Sequence, residues 1–462
     1  MKINKLLNTG LNIDIKGIKT NSKDVETNDV FVCALGNIDK TLYIEDAIKR
    51  GCCLVIANRM LDIKVPLIIT HNPNLTLKNM LDKYYNYPLN KIKLIGVTGT
   101  DGKTSITTIL KDMTSSACIG TNGLFYKNII NKLDNTTPSL DKVYASVNDV
   151  LKNNLDKVFM EVSSEAYLTN RIPYLKFDIG IFSNITKEHL DKHKTFSNYL
   201  MCKEMLLKAS RIVVLNRDSK YFRKLAKVNS NYVTYGMRKS DMQIISYKEY
   251  FDHTIIKFKY QRKHYIVNSP LIGKFNVYNL MAAFLTLTLL KYSINEILEL
   301  MPRVKPILGR NEILPVRDFY VILDHAHTIN AIKNILKYAK KMCKGKIIVV
   351  LGCAGRRYYE KRAIIGKMIC KEAGKVILTT DDPRDEDPYD IIRDMLKKVS
   401  RKDIDKILQI VNREDAIKKS LSLAKKNDFV LILGRGRDDK MYVGDEITYF
   451  SDYDIIKKYT NN

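Results

Sequence analysis

Residues 92–105 read IKLIGVTGTDGKTS, and the reading of the whole chain turns on them. A short apolar, β-branched run (Ile92, Leu94, Ile95, Val97) has the composition of a buried strand. It passes into Thr98-Gly99-Thr100-Asp101-Gly102-Lys103-Thr104-Ser105, and a helical pattern follows from about Ile106. Strand, Gly-rich turn and a helix opening on Lys-Thr together form a phosphate cradle. Backbone N–H groups and the positive end of the helix face the anion, Lys103 reaches the outer phosphates, and the Thr104 hydroxyl can ligate Mg²⁺. The spacing departs from G-x-x-x-x-G-K-[ST]: Val97 stands where the first glycine would be, and Gly96 lies one residue too far back.

The rest of the composition sets the frame. A chain of 462 residues exceeds one ordinary core, so about two to four domains are expected. Hydrophobic residues at 45% and charged residues at 27% suit a globular protein. The opening MKINKLLNTGLNIDIKG lacks the apolar centre of a signal peptide, and no apolar run approaches membrane-spanning length. A cytoplasmic location without membrane insertion is therefore expected. The eight cysteines are scattered and form no C-x-x-C pair, which argues against disulfides and structural zinc. The net charge of +27 comes from lysine spread along the whole chain. No basic run interleaved with aromatics marks a nucleic-acid face, but the excess favours anionic ligands such as nucleotides.

Residues 1–90 hold short strand-like runs at Val30–Ala34, Cys53–Ala57 and Pro66–Thr70, with a helix at Tyr43–Arg50, and end in the turn-rich YYNYPLNK. From 91 to about 310, strands and helices alternate, which argues for a mostly parallel sheet covered by helices on both faces. A strand at Lys157–Met160 delivers Glu161 at its carboxyl end, where side chains of a parallel sheet face the ligand crevice; an oxygen ligand there suits Mg²⁺. A second strand, Ile179–Phe182, ends in Ser183-Asn184-Ile185-Thr186 and then Glu188-His189-Leu190-Asp191, with Lys203 on the following helix. Asn276 and Asn279 are spaced to share one helix face. Beyond 311, four more strands run into DHAHT (324–328), GCAGRRYYEKR (352–362), DDPR (381–384) and GRGRD (434–438).

These motifs, in this order, resemble the Mur ligases, whose phosphate loop is TGTxGKT. The resemblance is strongest to the branch that adds the third residue of the peptidoglycan stem peptide. It runs through NTTP (135–138), MEVSS (160–164), the FSNIT-x-x-HLD-x-H-x-T segment, GKFNVYNLMAAF and the C-terminal motifs. It implies an α/β fold of three domains: a small N-terminal UDP-binding domain (1–90), a central phosphate-loop ATPase domain (91–310) and a Rossmann-like C-terminal domain (311–462). By resemblance, Gly99 to Ser105, Asn276, Asn279, Arg310 and Asp324 would bind ATP. Lys103, Glu161, His189 and Lys203 would be catalytic. Thr104, Glu161, His189 and Lys203, the last as a CO₂ adduct (a carbamate), would hold Mg²⁺. Ser22, Thr136, Thr137, Ser164 and Arg171 would bind the UDP-muramoyl dipeptide. Arg357, Asp381, Asp382, Arg384, Gly434 and Asp438 would bind the incoming amino acid.

The implied reaction is ATP-dependent amide formation through an acyl phosphate, by a monomer whose partners are a UDP-linked muramoyl dipeptide and a diamino acid. DDPR in place of the family's DNPR favours meso-diaminopimelate and leaves room for lysine, because the added carboxylate of Asp382 tolerates an ammonium. Other departures are Glu165 for His, Glu188 for Asp, Arg356 for Asp, Arg437 for His, and Asp39–Tyr43 where the family has GHxF. They keep two alternatives in view: a paralogue serving another acceptor, and a nucleotide-binding regulator without turnover. A folylpolyglutamate synthase fits NTTP, MEVSS and DDPR less well.

Overall fold

The computed structural model describes residues 1–127 and 129–461. The chain divides into two compact units, Met1–Ile185 with Ser197–Asp241 and Ala282–Tyr292, and Thr186–Phe196 with Met242–Met281 and Ser293–Asn462.

In the first unit, strands Gly17–Lys19, Asp29–Val32, Leu54–Ala57 and Leu67–Ile69 pair in parallel in that order. The helix read at 43–50 spans Ile44–Lys49. A further helix, Pro73–Tyr84, opens on Asn72, whose side chain accepts from the Leu75 amide, with proline at the first helical position.

The larger sheet of this unit places Lys93–Thr98 between Phe177–Phe182 and Lys157–Glu161. Ser210–Asn216 and Tyr232–Gly236 extend it on one side and Ala117–Gly120 on the other, all in parallel. Gly123–Tyr126 and Ile129–Asn131 close the far edge in antiparallel fashion. Because every central strand is buried on both faces, the strands read as near-continuous apolar runs. Their carboxyl ends lie side by side, which brings the loops after Thr98, Glu161 and Phe182 together.

In the second unit, Met242–Glu249, Thr254–Tyr260 and Lys263–Ser269 form an antiparallel meander inside a stretch expected to alternate strand and helix. Its second turn is Gln261-Arg262, both with φ near +50° to +65°. That conformation matches the twist of a two-residue hairpin but is normally announced by Asn-Gly, so it is silent in the sequence. The loop at the other end of the hairpin carries Phe251, whose ring packs 4.6 Å from Tyr320 and 6.1 Å from Phe429. The Tyr338 hydroxyl donates to its carbonyl at 2.7 Å.

The remaining sheet runs Glu312–Val316, Phe319–Asp324, Phe429–Leu433, Ile347–Leu351, Lys375–Leu378, Ile407–Gln409; only the first pairing is antiparallel. Phe429, Leu431 and Leu433 face one core and Val430 and Ile432 the other, the period of two expected of a strand covered on both sides. The last strand in sequence is inserted between the second and the third. The loops after Asp324, Leu351, Leu378 and Leu433 therefore meet at one edge, where open α/β sheets bind ligands.

Candidate active site

The phosphate loop is held in shape before any ligand arrives. The helix begins at Lys103, earlier than Ile106, with Gly102 as its N-cap. Gly99 has φ +152°, and a Cβ there would lie 1.9 Å from the Ser183 hydroxyl, so only glycine fits. Ser183 donates to the Asp101 carbonyl at 2.7 Å, the Asn184 carboxamide exchanges two 3.0 Å bonds with the backbone of Asp101, and the Thr100 amide donates to the Asn184 carbonyl at 2.9 Å. Lys103 folds back over the loop, donating to the carbonyls of Gly99 and Thr100 at 2.9 and 3.0 Å. Ser105 is buried in the first turn of the helix.

Glu161 sits on the adjoining strand with only 2% exposure. Its carboxylate accepts from the Thr104 hydroxyl at 2.9 Å and from the amide and hydroxyl of Thr121 at 3.0 and 3.3 Å. An oxygen cluster of carboxylate and hydroxyls beside a phosphate loop is the donor set a hard divalent cation takes. Lys203 is fully buried in the same unit and donates to the Gly99 carbonyl at 2.7 Å, its ammonium 4.7 Å from the centre of the Tyr199 ring. Burial, and then the positive charge of Lys103, hold its pKa well below that of an ordinary lysine.

Of the residues expected at the dipeptide, Arg171 lines a cavity of about 340 Å³ together with Thr20, Asn21, Lys40, Asn135 and Glu165. Arg171 also donates to the Thr137 carbonyl at 2.9 Å. Thr137 is buried and pins the strand end, bonding the Glu161 carbonyl and the Ser163 amide. Thr136 contacts Thr121 at 3.3 Å, and Ser164 opens a short helix capped by Ser163. Ser22 is buried and holds the Asp46 carboxyl below its usual range, while its neighbours Thr20 and Asn21 reach the cavity.

The second unit holds the other expected groups. His189 caps the helix Leu190–His193 with φ +57°. Glu188 forms a buried ion pair with Lys361 at 2.6 Å, which accounts for a carboxylate at that position. Asn276 and Asn279 are buried and bonded to each other at 3.1 Å, and Asn276 also donates to the Ile272 carbonyl. Asp324 accepts from the Asn311 amide; burial raises its pKa to about 6, against the opposing pull of Arg310. Burial, and then the neighbouring His325 and Lys361, hold the pKa of His327 well below that of an ordinary histidine.

At the loops expected to bind the amino acid, the arginines fall into two groups. Arg413 pairs with Asp452 at 2.7 Å, both side chains 0% exposed, and Arg362 bonds Glu386 and Asp394. Arg435 is buried and binds Asp381 at 3.2 Å and Asp382 at 2.6 Å. The charge added by aspartate at 382 is therefore met from within the chain, so it offers less to a lysine ammonium than its sequence position suggests. Arg437 pairs with Glu312 and lies 3.2 Å from the centre of the Tyr453 ring, a scaffolding role. Asp438 meets His325 at 3.3 Å, and Gly434 donates its amide to the Asp324 carbonyl. By contrast, no hydrogen bond or ion pair of the Arg357 or Arg384 guanidinium occurs among the described residues; the Arg384 Nε is buried with no partner. Arg384 is instead fixed through its backbone, at φ +56°, by pairing with Tyr442 and Gly444 of the hairpin Lys440–Tyr449.

Sequence reasoning gave no role to Thr121, Ser183, Asn184, Tyr199 and Arg435, all of which shape these sites. Ser183 and Asn184 had a visible signal, their place at the carboxyl end of a parallel strand next to the phosphate loop. Thr121 and Arg435 act through contacts distant in sequence and had none.

Residues 97–287 match the Mur ligase middle domain and residues 309–436 the Mur ligase, glutamate ligase domain. A UDP-N-acetylmuramoyl-L-alanyl-D-glutamate--2,6-diaminopimelate ligase of Aquifex aeolicus is 33% identical over 453 residues, covering 96% of this chain and 93% of its own length. A ligase of the same name from Clostridioides difficile is 34% identical over 467 residues, covering 97% and 95%. Among solved structures, a UDP-N-acetylmuramoyl-L-alanyl-D-glutamate--2,6-diaminopimelate ligase superposes with TM-score 0.68 at 23% identity over 100% of this chain and 99% of that one. The MurF ligase of Thermotoga maritima in complex with ADP superposes with TM-score 0.65 at 18% identity over 96% of both.

Proposed function

This chain belongs to the Mur ligase family, and from that premise we propose that it is the ATP-dependent ligase joining meso-diaminopimelate to UDP-N-acetylmuramoyl-L-alanyl-D-glutamate in peptidoglycan synthesis. The observation that carries the choice of amino acid is the pair of arginines, 357 and 384, whose guanidiniums make no hydrogen bond or ion pair among the described residues, Arg384 lying 5.9 Å from the centre of the Tyr442 ring, while Arg413, Arg435 and Arg437 of the same unit are paired with carboxylates. A diamino acid with two carboxylates satisfies two such cations; lysine, with one carboxylate and a distal ammonium, does not.

The chemistry follows from the site. ATP lies on the loop 99–105, and the glutamyl carboxylate of the dipeptide attacks its γ-phosphorus, forming an acyl phosphate and releasing ADP. The amine of diaminopimelate then attacks the acyl carbon; an amide forms, phosphate leaves with the C–O electron pair, and a proton is lost from nitrogen. Lys103 must leave the carbonyls of Gly99 and Thr100 to meet the phosphates. No enzyme nucleophile is needed, so the protein acts by positioning and by neutralising charge.

Thr104 and Glu161, with Lys203 as its carbamate, are the first unit's groups that would hold Mg²⁺; the ion would neutralise the transferring phosphoryl group. Support for the carbamate is the lowered pKa of Lys203, since only the neutral amine captures CO₂. Residues 1–90, 91–310 and 311–462 are assigned to UDP-substrate, ATP and amino-acid binding. Arg171 and the cavity it lines would take the muramoyl dipeptide.

Phosphate release is measured with ATP, Mg²⁺ and UDP-N-acetylmuramoyl-L-alanyl-D-glutamate, adding meso-diaminopimelate or L-lysine in separate reactions. Release dependent on diaminopimelate is expected. Release with lysine alone would overturn the assignment of Arg357 and Arg384, and silence with both would overturn the ligase assignment.

A further inference from the structure

The loop 352–357, which carries Arg357, and the loop 381–386, which carries Arg384, touch along their backbones. The Gly355 amide donates to the Asp382 carbonyl at 2.8 Å, and a Cβ on Gly355 would lie 1.9 Å from the Pro383 carbonyl oxygen. Backbone contact alone leaves side-chain directions open. Across this seam Arg356 donates from Nε to both carboxylate oxygens of Asp385, at 2.7 and 3.0 Å, and from Nη2 to one of them. Its own amide donates to the Glu386 carboxylate, which is held in turn by Arg362 at 2.8 Å. Arg356 adopts φ +52°, the left-handed region that a residue with a Cβ enters only when its surroundings hold it there.

We propose that Arg356 is a positioning residue for the acceptor amino acid: its bidentate pair with Asp385 braces the two loops so that the guanidiniums of Arg357 and Arg384, neither of which is in an ion pair among the described residues, are presented together to one dicarboxylate. This rests on the ligase assignment above. The pair is 67% and 52% exposed, so it adds little to global stability, and its consequence lies in local geometry. The Arg356 hydrogen bonds hold the Asp385 carboxyl at about 2, below its usual range, so it is charged at neutral pH. Arg356 stands where the family pattern has aspartate, which would face Asp385 with like charge. The two positions are thus electrostatically linked, and reversing both should restore what reversing one destroys.

The experiment is a double-mutant cycle on phosphate release at saturating ATP and UDP-substrate, with diaminopimelate varied. In R356A the KM for diaminopimelate is expected to rise roughly tenfold, the effect of displacing one charged anchor, while kcat and the KM for ATP stay within about twofold. R356D should be worse, and R356D combined with D385R should return to within about threefold of the unchanged enzyme. An unchanged KM for diaminopimelate in both single variants overturns the proposal. So does a parallel rise in the KM of all three substrates, or a failure of the double reversal to improve on R356D when its melting temperature equals that of the unchanged enzyme. If the unchanged enzyme prefers another amino acid, the function assigned above is corrected, and the cycle is read on the KM of that amino acid.

Discussion

Lys203 is an amine placed where a charge is costly: fully buried, facing a carbonyl, with the ammonium of Lys103 nearby. If Lys203 carries the proposed carbamate, capture of CO₂ needs the neutral amine, which its lowered pKa favours, and is lost as the pH falls and the amine protonates. Enzyme stripped of CO₂ at acid pH should lose activity, regain it with bicarbonate, and show a carbamate resonance with ¹³C-bicarbonate; activity indifferent to bicarbonate would sink this assignment. Lys203→Arg, which stays charged, should lose at least about a hundredfold in kcat. Asp324 gives a second prediction at this scale. Its folded pKa of about 6 exceeds the unfolded value of 3.8, so the native state binds the extra proton between these values. The associated stability is complete below pH 3.8 and is lost as pH rises through 6, by up to about 3 kcal/mol. Asp324→Asn should flatten the melting-temperature profile across that window. An unchanged slope would mean that the carboxyl is not buried in solution.

Among the elements, the C-terminal helix Asp452–Asn461 is tied down by one buried ion pair. Arg413 bonds both oxygens of Asp452 and also the carbonyls of Thr380 and Leu433, which lie directly before the DDPR and GRGRD loops. Removing one partner leaves the other charge buried and unmatched. Asp452→Ala should therefore cost roughly 3–5 kcal/mol of stability by denaturant unfolding. A loss below about 1 kcal/mol, the ceiling of an exposed pair, would show that the pair is hydrated. Because the same guanidinium supports the two loops proposed to bind the amino acid, the KM for the amino acid should rise more than the KM for ATP.

For the whole molecule, 77 Lys and Arg against 50 Asp and Glu give a net charge of +27, opposite in sign to the two highly anionic substrates proposed, a nucleotide and a UDP-sugar. A field of this sign speeds encounter with anions and is screened over about 8 Å at physiological salt. Raising salt from roughly 20 to 500 mM should lower kcat/KM for ATP and for the UDP-substrate severalfold, with a smaller effect on zwitterionic diaminopimelate. Equal effects on all three would point instead to a general change in the protein.

Local chemistry made much of this protein legible from its residues alone. The phosphate loop, the buried parallel strands, the carboxylate at the end of Lys157–Glu161 and the arginines at the strand ends all announce themselves, because strand periodicity and glycine conformation are properties of neighbouring residues. Hidden were the features made by contacts between distant segments. The hairpin turn at Gln261-Arg262 bends without its usual residues, and Phe251 joins the core of the C-terminal sheet from a loop far upstream. Whether a charge is spent or available belongs to the same class. Arg356, Arg435 and Arg437 looked as available as Arg357 and Arg384, and only the folded chain decides that the first three are neutralised by Asp385, by Asp381 with Asp382, and by Glu312. Sequence determines which groups exist and how each segment bends; tertiary structure decides which charges cancel, because electrostatic partnership depends on distance in space rather than along the chain.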